Sequence, residues 1–159
     1  MIELLKIPQE RIKVLNENHG KIKKEIEKLT NTKIQITEGV DISGEAIDVM
    51  TAANIVKAIG RGFDPDIAFD LVDEEKTLHI ITLQETEKSV KRIKSRIIGT
   101  GGRARKNIEG LTKTKLSIYG KTVSIIGTYD NVEKARIAIE KLISGSMHRT
   151  VYKHLERRR

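Results

Sequence analysis

The 159-residue chain carries 30 Lys and Arg against 22 Asp and Glu, a net charge of +8, with no Cys, no Trp, three Tyr and two Phe. That excludes disulfides, thiolate metal sites and a cysteine nucleophile, fits a reducing compartment, and leaves too few rings for the stacking platforms of RRM or OB surfaces. No charge-free stretch approaches the ~18 residues of a membrane span, and MIELLKIPQERIK lacks a secretory signal, so a soluble, cytoplasmic protein of one domain or two small ones is expected.

Hydrophobic period predicts the elements in order. A strand at ELLKI is followed by a short helix near 8–15, a helix over 21–30, strands at 33–37 and 40–43, and a helix from about 45 to 59 that Gly60-Arg61-Gly62 ends. Asp64-Pro65 has the form of a cap with Pro at the first helical position, opening a short helix through Leu71. The acidic Asp73-Glu74-Glu75 leads to a boundary near residue 75. KTLHIITL (76–83) then alternates like a strand, and Val90, Ile93 and Ile97 mark a helix with a Gly stop. Ala104, Ile108 and Leu111 mark another. KLSIY and TVSII, separated by Gly120-Lys121, form a tight hairpin. Asp130 can cap a helix striped by Val132, Ala135, Ile139 and Leu142. In the tail, Met147, Val151 and Leu155 stand four apart, so it either extends the last helix onto the body or folds upon RNA; Arg157 to Arg159 could equally be a solvated end.

The chain repeats itself. GKIKKEIEKLTNTKIQI (20–36) aligns with GRARKNIEGLTKTKLSI (102–118) at an offset of 82, with nine of 17 positions identical. Both copies have the order β-α-α-β-β-α, which implies an α+β fold of two units, 1–75 and 76–159, each a three-stranded antiparallel sheet covered by helices. The charge is divided between them: 10 basic and 15 acidic residues in the first, 20 and 7 in the second, or −5 and +13. A split of this kind suits a polyanion-binding half joined to an acidic half better than an enzyme for a small substrate.

Between the first two helices of the second copy lies Ile97-Ile98-Gly99-Thr100-Gly101-Gly102-Arg103. Glycines let a backbone approach a ligand without Cβ interference, and the helix N-terminus that follows favours a phosphate. Arg92, Lys94 and Arg96 precede the loop; Arg103, Arg105 and Lys106 follow it. Other motifs fail. Gly99 to Ala104 fits G-x-G-x-x-G/A, but a helix rather than a strand precedes it. Gly120-Lys121-Thr122 sits in a hairpin, with Lys115 where a P-loop needs glycine. The four histidines are scattered, Asp64, Asp66 and Asp73 to Glu75 read as a helix start and a linker, and neither a metal site nor a catalytic triad is visible.

Strand, helix, I-I-G-x-x-G, helix, strand, strand, helix resembles the type I KH domain, whose GXXG loop clamps a single-stranded backbone. The resemblance maps Gly99, Thr100, Gly101 and Gly102 onto that loop and makes Ile98 and Ile118 candidates for the groove floor. KH helices usually place an apolar residue three after the last loop glycine; here it is Arg105, so either the helix is rotated or Arg105 reaches RNA directly. In the first copy the loop becomes Glu17-Asn18-His19-Gly20. A carboxylate there repels phosphate, so that unit keeps the fold without the clamp and braces its neighbour or docks a protein. The alternative is RNA binding through Lys21, Lys23 and Lys24.

A degenerate KH unit, then AIGRGFDPDIAFDL (58–71), then a unit with IIGTGGRARKNIE and SIYGKTVSIIG, is similar to the archaeal branch of the Partner-of-Nob family, the KH-domain factors of small ribosomal subunit assembly. The resemblance implies binding near the 3′ end of small-subunit rRNA beside a PIN-domain endonuclease that makes the cut, with no catalysis and no cofactor of its own. Gly99 to Gly102 would accept the backbone, Arg96, Arg103, Arg105 and Lys106 would supply charge, and Lys113, Lys115 and Lys121 would line the far side. The rival reading is a protein-interaction scaffold recruiting assembly or translation initiation factors.

Overall fold

The computed structural model describes residues 1–157; Arg158 and Arg159, part of the tail considered above, lie outside the described residues. The chain divides into two compact units, Met1–Glu74 and Glu75–Arg159. Each contains one three-stranded antiparallel sheet with the last strand in sequence at its centre, the tandem KH-type α+β arrangement.

In the first unit, β1 (Ile2–Leu5), α1 (Gln9–Thr30), β2 (Lys33–Ile36), β3 (Val40–Ser43) and α2 (Ala46–Gly60) follow in order, α1 being two helical segments joined across a non-helical bend at Glu17, Asn18, His19 and Gly20. Period-2 alternation puts Val40 and Ile42 of the central strand, with Ile34 and Leu5 beside them, against the helices. Val49, Ala52, Val56 and Ile59 of α2 are fully buried, each Val or Ile side chain contributing about 1.5–3 kcal/mol by burial. The segment after α2 completes this unit. A Cβ at Gly60 would lie 2.5 Å from Ile7 Cγ2, while Arg11 donates from Nε to Ile59 O at 2.7 Å and from Nη2 to Phe63 O at 2.9 Å. Asp64 takes the cap position of the short α3 (Pro65–Ala68), with Pro65 in the first turn, but its side chain makes no capping bond.

The second unit comprises β4 (Lys76–Thr82), α4 (Glu87–Ile98), α5 (Arg103–Thr112), β5 (Lys115–Tyr119), β6 (Thr122–Thr128), α6 (Tyr129–Ile143) and α7 (His148–Arg157). The expected stripes are buried: Val90, Ile93 and Ile97 on α4; Val132, Ala135, Ile139 and Leu142 on α6. Tyr119 pairs with Thr122, so the hairpin turn is Gly120-Lys121. Two expectations change. Thr128, not Asp130, is the N-cap of α6, because the helix begins at Tyr129 and Asp130 falls in its first turn. The tail is a separate helix: α6 ends before Ser144-Gly145, where Gly145 has φ of +102°. Val151 and Leu155 of α7 enter the core, whereas Met147 precedes the helix and is exposed.

The sequence identities of the repeat correspond to one hydrogen-bond network built twice. Thr30 Oγ1 bonds Ile26 O at 2.7 Å and Thr32 Oγ1 at 2.8 Å, and Ile34 N donates to Glu27 Oε2 at 2.9 Å. In the second unit, Thr112 Oγ1 bonds Ile108 O at 2.6 Å and Thr114 Oγ1 at 2.7 Å, and Leu116 N donates to Glu109 Oε2 at 2.8 Å. Asn31 and Lys113 close the two helices in left-handed conformation, at φ of 54° and 55°. Buried hydroxyls left unpaired would each cost about 1–3 kcal/mol, so these Thr and Glu positions hold helix to strand in both copies.

Candidate nucleic-acid interface

The bend between α4 and α5 is a short 3-10 turn, Thr100–Gly102, with Gly102 N donating to Gly99 O at 3.2 Å. Its three glycines do different things. Gly99 has φ 74° and ψ 175°, a region essentially closed to other residues, and a Cβ there would lie 2.7 Å from Ala104 Cβ and 2.8 Å from Ala104 N. Gly101 and Gly102 have φ of +62° and +79°, and a Cβ on either would meet no atom within 4 Å. Gly99 is therefore required by packing, whereas Gly101 and Gly102 leave bare backbone open to the outside.

That bare backbone heads α5. Gly102 is its N-cap, no side chain caps it, and no acidic residue lies in its first turn. Arg103, Arg105 and Lys106 stand there instead, against a helix dipole that each exposed cation opposes by about 0.3–1 kcal/mol. An anion bound to the free N–H groups removes that conflict. Among the described residues, Arg136 is paired with Glu133 and Glu140 on α6, and no ion pair engages Arg92, Lys94, Arg103, Arg105 or Lys106. The cations around the loop are not neutralised from within.

Two depressions adjoin α4. One, of about 340 Å³, is lined by Glu87, Val90, Lys91, Lys94, Ser95, Ile98 and Lys121. It brings Ile98 and Lys121 together and adds Lys91 and Lys94, whose spacing with Glu87 and Ile98 along one face of α4 is legible in the sequence. The other, of about 410 Å³, is lined by Ser95, Arg96, Gly99, Thr100, Arg103, Ala104, His148 and Tyr152. His148 and Tyr152 were missed, because only the seating of α7 brings them to the loop.

The remaining expected residues separate. Arg96 is half-buried and donates from Nη2 to Ser146 O at 2.6 Å, so its charge helps to anchor the approach to α7. Lys113 does not line the groove with Lys121: it is the left-handed C-cap of α5, in a different depression with Leu111, Thr112, Asn131 and Lys134. Lys115 is exposed and pairs with Ile126, at the far end of the hairpin from Lys121. Ile118 is half-buried against the core. Arg105 lies one helical turn before Glu109, on the α5 face that meets β5 through the Leu116 N bond. It is half-buried, and its Nε is enclosed without a hydrogen-bond partner. Ala104, not Arg105, takes the buried position of that first turn. Arg105→Ile is expected to weaken single-stranded RNA binding about tenfold, the loss of one charged hydrogen bond, in a filter-binding titration; a rise in affinity would mean that Arg105 only fills the floor.

The matching loop of the first unit keeps part of the bend without the glycines. Glu17 is extended, at φ −57° and ψ 149°, and Asn18, His19 and Gly20 have φ of 53°, 61° and 76°. Asn and His are among the side chains that tolerate this region. Lys23, aligned with Arg105, is engaged internally: its Nζ donates to Ile34 O at 3.2 Å and lies 4.0 Å from Glu27.

Comparison with known proteins agrees with this geometry. A family model described as a eukaryotic type KH-domain (KH-domain type I), the second KH domain of PNO1, matches residues 74–159. A KH domain-containing protein of Methanocaldococcus jannaschii is 41% identical over 168 aligned positions, covering 99% of this chain and 74% of that protein. The crystal structure of Dim2p from Pyrococcus horikoshii superposes with a TM-score of 0.93 at 45% identity, covering 99% of each chain. The same organism's a/eIF2alpha–aDim2p–rRNA complex contains a chain matching at TM-score 0.93 and 46% identity, covering 99% of this chain and 93% of that one. The RNA-binding protein pno1 of Ixodes scapularis is 34% identical over 64% of this chain, and the match spans 45% of that protein's length. With a KH model over the second unit and relatives of this identity along nearly its whole length, the chain belongs to the archaeal branch of the Partner-of-Nob (PNO1/Dim2) family of KH-domain ribosome assembly factors.

Proposed function

We propose that the second unit holds one strand of small-subunit rRNA near its 3′ end, with the sugar-phosphate backbone across Gly99, Thr100, Gly101 and Gly102. The observation that carries this reading is the pair of left-handed glycines, open on their outer side, at the head of a helix whose first turn is cationic. Arg103, Arg105 and Lys106 supply charge beside them, and Ile98, Ile118, Lys91, Lys94 and Lys121 face the bases. The protein performs no cleavage itself. It shields the rRNA end or positions it for a PIN-domain endonuclease. Family membership supports the ribosomal assignment, and the relative from Pyrococcus horikoshii is described in complex with rRNA.

That relative's complex also contains a/eIF2alpha, which favours a second reading: a scaffold for translation initiation or assembly factors, with RNA binding secondary. The first unit, whose loop carries Glu17, is the docking side in that case. Filter binding of single-stranded RNA across a salt series distinguishes the two. A strand held at three phosphates gives a log–log slope of about −2, from about −0.7 per phosphate. A flat slope with retained factor binding favours the scaffold.

A further inference from the structure

We propose that the depression between the glycine loop and α7 is a second nucleotide site, which takes the nucleotide adjoining the clamped backbone and stacks its base on Tyr152. The inference rests on the RNA-binding reading above and extends it to a part of the chain that the KH motif does not include.

Four observations converge there. The depression, about 410 Å³ in volume, shares Gly99, Thr100 and Arg103 with the clamp itself, so a strand leaving the loop on that side enters it directly. Its far wall is formed by two rings, His148 and Tyr152, with centroids 6.1 Å apart and planes at 57°. Tilted rings do not cover each other's faces, so Tyr152 can receive a base by stacking. The wall is fixed: His148 Nε2 lies 2.7 Å from Arg96 O, a carbonyl that can only accept, so Nε2 carries the proton. Arg96 Nη2 bonds Ser146 O, and Val151 and Leu155 anchor α7 in the core. Finally, Arg149, Lys153 and Arg157 are exposed at four-residue spacing, a cationic stripe beside the rings along which further phosphates can lie. Of the three Tyr, Tyr119 lies on β5 and Tyr129 opens α6, and Tyr152 is the one that shares a depression with the glycine loop.

The occupant follows from the chemistry of the walls. Bare backbone and Arg103 suit a phosphate, a tilted Tyr face suits a planar base, and the cationic stripe suits a chain of phosphates rather than an isolated mononucleotide. The test measures oligoadenylates of four to eight nucleotides by fluorescence anisotropy. In the unaltered protein, one step of the length series should raise affinity about fivefold or more, the lower end of the range for stacking one base. Tyr152→Leu, which keeps an apolar side chain against the core, should erase that step and leave the affinity for the shorter oligonucleotides within twofold. Tyr152→Phe should preserve it. Arg149→Gln with Lys153→Gln should flatten the salt slope for the longest oligonucleotide only. The proposal is overturned if the step survives Tyr152→Leu, or if Tyr152→Leu weakens all lengths equally while the melting temperature holds. Failure of the parent reading looks different, with no length bound and a flat salt response throughout, and it would remove this site as well.

Discussion

Gly101→Asp is expected to lower affinity for single-stranded RNA by about 10- to 100-fold, the equivalent of one charged hydrogen bond at about 1.5–3 kcal/mol. The melting temperature should fall by no more than about 4–8 °C, the effect of about 1 kcal/mol in a domain of this size. A Cβ at Gly101 meets nothing within 4 Å, so the new carboxylate points into the space where a phosphate would lie. The left-handed φ of +62° is one that Asp tolerates at a cost of about 1 kcal/mol. The protein contains its own control: His19 stands at the matching position of the first unit at φ 61°, so a side chain there is compatible with the bend. Gly101→Asn separates the causes, since it has nearly the same shape without the charge, and the difference between the two variants is electrostatic. Filter binding and thermal melting of all three proteins check the expectation. If Gly101→Asp melts far below the parent, the glycine is structural and the clamp reading loses its main support.

The parts of the molecule that were legible in the sequence are those fixed by local rules. Alternation of Val40 and Ile42 marks a central strand because a sheet covered on one face needs period two, whereas the strand of Val123 and Ile125, legible by the same alternation, is buried at every position from Thr122 to Gly127. The recurring Ile-Glu-x-Leu-Thr-x-Thr-Lys was visible as a repeat, and the reason for it is the Thr–Thr and Glu–strand bonds made in both units. The loop glycines were legible as a group, yet sequence could not divide them into one packed on Ala104 and two facing outward. Lys113 is expected with Lys115 and Lys121 on the far side of the strand; its backbone is instead the left-handed helix cap, in a depression with Asn131 and Lys134. The rings of α7 were beyond reach for a different reason. The spacing of Met147, Val151 and Leu155 leaves open whether the tail packs on the body or folds upon RNA, and the surface that it covers depends on Arg96 and Ser146, fifty residues apart.

Gly99→Ala should behave in the opposite way to Gly101→Asp. At φ 74° and ψ 175°, Ala occupies a region that costs about 1–3 kcal/mol. Its Cβ would also lie 2.7 Å from Ala104 Cβ and 2.8 Å from Ala104 N, an overlap that the first turn of α5 relieves only by shifting, at about 1–3 kcal/mol more. The second unit should therefore melt lower by about 10 °C or more, since each kcal/mol is worth about 4–8 °C in a domain of this size. RNA affinity should fall as well, but as a consequence, because the displaced turn is the one that presents the free N–H groups. Ala104→Gly in the same molecule removes one of the two close approaches and neither the backbone nitrogen nor the torsional strain, so it should restore only part of the melting temperature. The first unit supports this division. It has Glu17 at the matching position, and there the chain has moved to φ −57° and ψ 149°, out of the forbidden region; a side chain was accommodated only by giving up the path that Gly99 follows. If Gly99→Ala instead melted with the parent and lost affinity alone, Gly99 would be another ligand-facing residue, and the separation of one packing glycine from two binding glycines would be wrong.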